Sequence, residues 1–277
     1  MELSFADLQR LVETQYSIED TRKDLNDIVK YFRGLEYQKV VLDEYLVKRR
    51  QIKPEIVDEC EAFLCDYYMT VSDLPEEFRS EALGLVVRNH MVFKGRILYP
   101  VKDVMGDVMG FCGWDNTESP KYLDSKNHGY KAKATSLFGM ENLRDYYNSN
   151  EPVIVTEGIV CSLFFRGEKF QSLAALGSNL TPYVVQILRR FGDRLIVFPD
   201  NDSFGKSVEE LDEQTSGEHF VQQAKRLLPK ARIIQSVIAK DPDDTRKVED
   251  GKYKEQFLDE IRSLSNPFRK REIIRIR

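Results

Sequence analysis

The sequence predicts an α/β fold: a parallel sheet flanked by helices in the C-terminal half, preceded by a small basic α/β subdomain and a helical N-terminal region. Three observations predict it. Beyond residue 152, apolar runs of strand length alternate with helical segments, as strands linked by helical crossovers require. Between residues 92 and 114 the runs become β-rich and are punctuated by glycine. Before residue 87, apolar residues recur at helical spacing.

Ser4-x-x-Asp7 and Ser17-x-x-Asp20 have the form of capping boxes, each ahead of apolar positions at helical spacing: Leu8, Leu11 and Val12, then Leu25, Ile28 and Val29. Further helices are expected over 38–49, 54–67 and 75–86. Gly95 to Val101 and Asp103 to Phe111 read as a hairpin turning at Met105-Gly106-Asp107. A polar, lysine-rich loop over 115–133 and a short helix over 140–147 follow, and Asn148 to Pro152 marks a boundary. Strands are then expected at 153–156, 170–176, 195–198 and 232–238. Helices lie between them at 159–167, 182–191 and 206–228, the second with Thr181 as cap and Pro182 at its first position. The expected domains are a helical extension (1–43), a basic subdomain (44–150), the parallel-sheet domain (151–247) and a helical basic tail (248–277).

The 277 residues with 42% apolar content can fill such cores, which excludes a disordered chain. No apolar run is long enough to span a membrane and the N-terminus has no signal-peptide pattern, so a cytoplasmic protein is expected. Cys60, Cys65, Cys112 and Cys161 are too scattered for a disulfide scaffold, and Cys60 and Cys65 lack the second close pair a zinc ribbon needs. They read as core thiols, and His90, His128 and His219 as isolated; no zinc is expected. The net charge of −5 argues against bulk coating of nucleic acid. Locally the signs separate: Arg88 to Lys133 holds eight basic against five acidic residues, whereas Asp200 to His219 holds seven acids and one lysine. That asymmetry suits a polyanion held directly on one side and through metal ions on the other.

Ligands of an open parallel sheet gather outside the carboxyl ends of its strands. Here those ends carry Glu157-Gly158, Gly177-Ser178-Asn179, Asp200-Asn201-Asp202 and Asp241-Pro242-Asp243-Asp244. Any one of these alone is ordinary turn chemistry. Acids after three of the four strands of one sheet point instead to a cation site, because crowded carboxylates repel unless a cation lies between them. Oxygen ligands without His or Cys select Mg²⁺ or Mn²⁺, ions that bind phosphate oxygens. The lysines of the polar loop are open to two readings, a solvated loop or a phosphate-binding one; for Lys126 and Lys131 the first is preferred.

Glu157-Gly158 followed by Asp200-Asn201-Asp202, with a strand, a glycine and a helix between, resembles a Toprim domain. That module is shared by bacterial-type primases, type IA and II topoisomerases and some nucleases. Upstream, Gly95 to Val101 and Gly106 to Phe111 resemble the start of the RNA polymerase core of DnaG-type primases. Pro120-Lys121-Tyr122-Leu123-Asp124-Ser125 is similar to that family's proline-lysine-tyrosine-leucine-asparagine-serine signature. Lys133, six residues before Gly139, matches a family basic position, and Tyr45 to Arg50, Lys53 to Val57, Leu176 to Thr181 and Lys240 to Asp244 match further ones. The resemblance covers roughly residues 44–250.

This resemblance implies a DNA primase, a DNA-directed RNA polymerase making short RNA primers on single-stranded DNA for replication by Mg²⁺- or Mn²⁺-dependent nucleotidyl transfer. Glu157, Asp200 and Asp202 would be catalytic, with Glu157 a candidate general base. These three with Asp241 and Asp243 would hold metal, and Arg96, Lys121, Lys133, Gly177 and Ser178 would contact DNA or nucleotide. Implied partners are single-stranded template, NTPs, and a replicative helicase or a separate zinc-binding primase subunit, in a bacterial cell or a phage-infected host. Two departures accompany it. Cys161 stands where the family usually has an aspartate, and neither the family's N-terminal zinc ribbon nor, beyond a few residues, its C-terminal helicase-docking domain is expected in these 277 residues. A compact phage-like core or one fragment of a split primase fits this pattern, with residues 1–43 either docking a partner or bracing the core. The alternatives are a Toprim-domain nuclease acting on DNA and a non-catalytic nucleic-acid-binding replication subunit.

Overall fold

The computed structural model describes residues 21–115, 120–125, 136–200, 216–236, 254–264 and 274–276. Both proposed capping boxes lie outside them. The chain falls into two compact units, Met1–Tyr45 with Asp58–Ala132, and Leu46–Val57 with Lys133–Arg277.

The first unit is built on an antiparallel sheet. Residues 21–33 form helix α1, and Leu25, Ile28, Val29 and Phe32 line its buried face at the spacing that predicted it. Helix α2 (Tyr37–Leu42) follows and continues as a π-helical stretch, Asp43–Arg49, whose residues from Leu46 on are counted with the second unit. Where a helix over 54–67 was expected, α3 stops at Pro54–Glu59 and Phe63–Leu64 is strand β1. Glu61 at φ 53° breaks the helix. Phe63 then enters an aromatic core, stacked on Phe32 at 4.7 Å and edge-on to Phe111 at 5.6 Å. The expected helix over 75–86 is instead two 3₁₀ turns, Glu76–Phe78 and Glu81–Leu83, ahead of a small hairpin, β2 (Val86–Val87) and β3 (His90–Met91). Pro75 before the first turn and Gly84 in the left-handed region after the second keep each turn short.

Strands β4 (Ile97–Lys102) and β5 (Val108–Trp114) make the expected hairpin, and β6 (Tyr122–Asp124) joins it to give the order β1-β4-β5-β6. At its turn the Asp103 carboxylate accepts from the N–H groups of Met105 (2.8 Å) and Asp107 (3.1 Å). Arg22 of α1 holds the same carboxylate at 3.2 Å. The exposed edge of β1 is closed by a side chain: Gln38 accepts from Leu64 N–H at 2.7 Å and donates to Leu64 C=O at 2.8 Å.

The second unit carries a five-stranded, all-parallel sheet. Its strands are β7 (Val153–Thr156), β8 (Gln171–Ala174), β9 (Leu195–Phe198), β10 (Arg232–Ser236) and β11 (Ile274–Ile276), in the order β11-β10-β9-β7-β8. Alternation along the strands divides two apolar layers. Val153, Val155, Leu195 and Val197 join one with α4 (Leu143–Asn148), α6 (Pro182–Arg189) and α7 (Ser216–Leu227). On the other, Phe198 packs on Phe165 of α5 (Ile159–Gly167) at 5.4 Å and on Phe257 of α8 (Lys254–Leu264) at 5.7 Å. Thr181 caps α6, accepting from Val184 N–H with Pro182 in the first turn, as its sequence predicts.

Two expected boundaries move. Residues 136–150 belong with the parallel sheet rather than with the basic subdomain: Phe138 exchanges both backbone hydrogen bonds with Ala174 on the edge strand β8, and Leu137, Met140 and Leu143 enter the sheet's core. The tail beyond 248 is not helical throughout, because Ile274–Ile276 pairs with β10 as the fifth strand, opposite Ile234 to Ser236. Alternating Ile-Arg-Ile suits a strand, a signal too short to read without its partner. Among the described residues no helix is long and apolar enough to cross a membrane.

All four cysteines are buried thiols outside any disulfide. Burial first, and then the charge of Asp66, push the Cys65 thiol up to about 12. At pH 8 a thiol reagent should therefore leave Cys65 unmodified in the native protein and label it after denaturation; rapid native labelling, mapped by mass spectrometry, would contradict its burial. Gly113 faces Phe93, whose Cδ1 lies 2.5 Å from where a Cβ would stand. Gly113→Ala should cost about 2 kcal/mol of stability in urea denaturation through overpacking of that ring.

Candidate active site

The strand order reverses at β7, which lies between β8 and β9 although it precedes both. Crossovers leave such a strand to opposite sides, opening a crevice at its carboxyl end, where ligands of open α/β sheets bind. Thr156 at the end of β7 pairs with Phe198 of β9 and with Ala174 of β8. The residues that follow therefore emerge together. Glu157 follows β7 and Asp200 lies two residues beyond β9.

The backbone N–H of Asp200 donates to Glu157 Oε1 at 3.1 Å. Forty-three residues separate these acids in the sequence, and one hydrogen bond joins them in space. Glu157 is buried, at 6% exposure, and Asp200 half-buried. Beneath them Thr156 is buried and its Oγ1 donates to Gly158 C=O at 2.9 Å, fixing the turn by which β7 enters α5. The loop after β8 is tied to the same edge, with Ala175 N–H donating to Thr156 C=O (2.8 Å) and Gly177 N–H to Glu157 C=O (3.2 Å). That loop turns through two left-handed residues, Leu176 at φ 59° and Gly177 at φ 137°. The second accounts for a glycine here, and the first is a strained conformation for leucine.

Ser178 and Asn179 are held from α7. Gln223 donates to Ser178 C=O and accepts from Leu180 N–H, and His219 Nε2 lies 2.9 Å from Asn179 Oδ1. Sequence reading set His219 aside as isolated and gave Gln223 no role. The available signal was their spacing of four, which puts both on one face of a helix.

In the first unit, Arg96 is buried and donates to the Lys121 backbone carbonyl at 3.3 Å. Its guanidinium supports the turn that presents Lys121, whose own side chain is exposed, with Nζ 5.9 Å from the Tyr122 ring centre. Asp202, Asp241, Asp243 and Lys133, like Lys126 and Lys131, lie outside the described residues. Among the described residues no three acids, histidines or cysteines form a metal cluster. Cys161, at the position where an aspartate was expected from the resemblance, is buried on α5.

Residues 31–144 match the family model for the N-terminal domain of the DNA primase catalytic core. A DNA primase of Clostridium acetobutylicum is 30% identical over 131 residues, which are 45% of this chain and 22% of that protein. The chain matches about a fifth of the length of the first such relatives. The structure of a DnaG primase catalytic domain bound to single-stranded DNA superposes with a TM-score of 0.68, at 19% identity, over 88% of this chain and 78% of that one. This is the fold of a DnaG-type primase catalytic core. The Aquifex aeolicus primase, with its zinc-binding and RNA polymerase domains, superposes equally well: TM-score 0.68, 24% identity, 90% of this chain and 60% of that one. The DnaG-type resemblance and the α/β class read from the residues are both borne out.

Glu157→Gln keeps an acceptor for Asp200 N–H while removing a charge, whereas Glu157→Ala removes the acceptor. In thermal melts with EDTA the Gln variant should unfold at the wild-type temperature or above it, and the Ala variant should lose about 1–2 kcal/mol.

Proposed function

We propose that this chain is the catalytic core of a DNA primase, joining ribonucleotides into short primers opposite single-stranded DNA. The observation that carries this reading is the hydrogen-bonded pairing of Glu157 with Asp200 at the strand-order reversal of a DnaG-type fold. The parallel-sheet unit would then act as a Toprim domain, and the solved relative bound to single-stranded DNA supports a template of that kind.

The donor set fits a hard divalent cation. Glu157 and Asp200 bring oxygen ligands together, and Asp202, Asp241 and Asp243 would complete the set with Mg²⁺ or Mn²⁺. Bound there, such an ion supplies positive charge to the attacking hydroxyl and to the leaving pyrophosphate. The chain's own residues do the rest. Asp200 N–H orients the Glu157 carboxylate, which receives the proton of the primer 3′-hydroxyl as that oxygen attacks the α-phosphorus of the incoming nucleotide. The bond from the α-phosphorus to the bridging oxygen breaks and pyrophosphate departs. Gly177 and Ser178 present backbone to the nucleotide phosphates, and Lys121 and Lys133 neutralise template or nucleotide phosphates while Arg96 supports the Lys121 turn. Such a core works beside a replicative helicase or a separate zinc-binding subunit, in the cytoplasm of a bacterial cell or phage-infected host.

Incubation with single-stranded DNA, Mg²⁺ and labelled NTPs should yield short RNA primers. Glu157→Gln and Asp200→Asn should each reduce synthesis at least about 100-fold without loss of DNA affinity. Cleaved DNA in place of primers would establish a nuclease, and wild-type activity in both variants would remove the assignment. Lys121→Ala should lower the number of ions released on binding single-stranded DNA by about one, read from affinity against salt.

A further inference from the structure

The loop after β8 does not hold its shape through its own backbone alone. Its entry is strained at Leu176, and Asn179 is exposed. The stabilising contacts come from a helix some 40 residues further along. The Gln223 side chain is an amide, with the same donor and acceptor as a peptide group, and it uses both on backbone: Oε1 accepts from Leu180 N–H at 3.0 Å, and Nε2 donates to Ser178 C=O at 3.2 Å. Nε2 also reaches Asn179 Oδ1 at 3.1 Å, the atom that His219 approaches from one helical turn away. At the other end the loop is fixed by Gly177 N–H on Glu157 C=O.

We propose that Gln223, assisted by His219, is a positioning residue that presets the Gly177–Asn179 loop to receive the phosphates of an incoming nucleoside triphosphate. The inference rests on the reading of this loop as a nucleotide contact. A loop bound at one end to the Glu157 backbone and at the other to α7 keeps a fixed place relative to the acidic pair. Without Gln223, ordering of residues 178–180 must be supplied by the nucleotide on binding, which weakens binding but leaves the acids in place. Nucleotide affinity should therefore change while turnover at saturation does not.

Gln223→Met keeps length and removes both backbone hydrogen bonds; Gln223→Glu keeps the acceptor only and stands in should the Met variant fail to fold. In primer synthesis the Met variant should raise the NTP KM about tenfold, with kcat within about twofold and single-stranded DNA affinity unchanged. The Glu variant should also raise it, and His219→Ala should raise it less. Faster hydrogen exchange at the Leu180 amide in the Met variant checks the latch without catalysis, and titration with ATP and Mg²⁺ checks nucleotide affinity without turnover. Unaltered Leu180 exchange, or faster exchange with unaltered KM and ATP affinity, would overturn the proposal. If the wild-type chain makes no primers, the primase reading fails by itself, and ATP titration still decides the latch: weaker binding to the variants supports it, equal binding ends it.

Discussion

The contact on which the site depends is the hydrogen bond from Asp200 N–H to Glu157 Oε1. Two carboxylate-bearing segments placed side by side without a cation repel one another, and a buried glutamate needs hydrogen-bond partners. A backbone donor meets that need for Glu157 with no added charge. It also sets the acid's orientation from the neighbouring strand end, so the geometry inherits the rigidity of the sheet. The strand order places the ends of β7 and β9 next to each other, and the register Thr156 opposite Phe198 brings Asp200 to within one residue of Glu157's level. A one-residue slip of that register would send every strand side chain to the opposite layer, so the apolar alternation that builds the core also protects the acidic pair.

Both units use a glutamine side chain as a substitute peptide. Gln38 completes the open edge of β1 through the N–H and C=O of Leu64, and Gln223 does the same for the backbone on either side of Asn179. Each case satisfies backbone groups that have no strand beside them. Gln38 is buried and the pairing is architectural. Gln223 is partly exposed and acts on a loop at the functional edge, where the same chemistry serves to hold a conformation ready.

Helix α5 links that edge to the rest of its unit. Its N-cap is Gly158, directly after Glu157, and every residue from Ile159 to Gly167 is buried, so neither end can shift without opening the core. Near its other end the buried Arg166 lies 3.8 Å from Glu141 and 5.9 Å from the ring centre of Phe138, on the segment that closes the edge of β8.

Strongly periodic and locally capped elements were legible in the sequence: α1, α5, α6 with its Thr181 cap, the β4–β5 hairpin and the first four parallel strands. In each, local chemistry and burial favour the same structure. Of the expected helices over 54–67 and 75–86, the first gives way to β1 through aromatic packing and the Gln38 edge contact, which come from distant residues, and the second is cut into 3₁₀ turns bounded by Pro75 and Gly84. The same holds for β11, which is a strand by virtue of β10 beside it. For the site, the residue types and their order after successive strands singled out Glu157, Asp200 and Gly177. The sequence by itself determined which groups can ligate, accept a proton or admit a close phosphate, since that follows from side-chain chemistry. Only the tertiary structure decided which of them meet, that Arg96 is turned inward to a carbonyl, and that His219 and Gln223 reach the β8 loop, because strand order, register and helix packing are set by contacts between residues far apart in the chain.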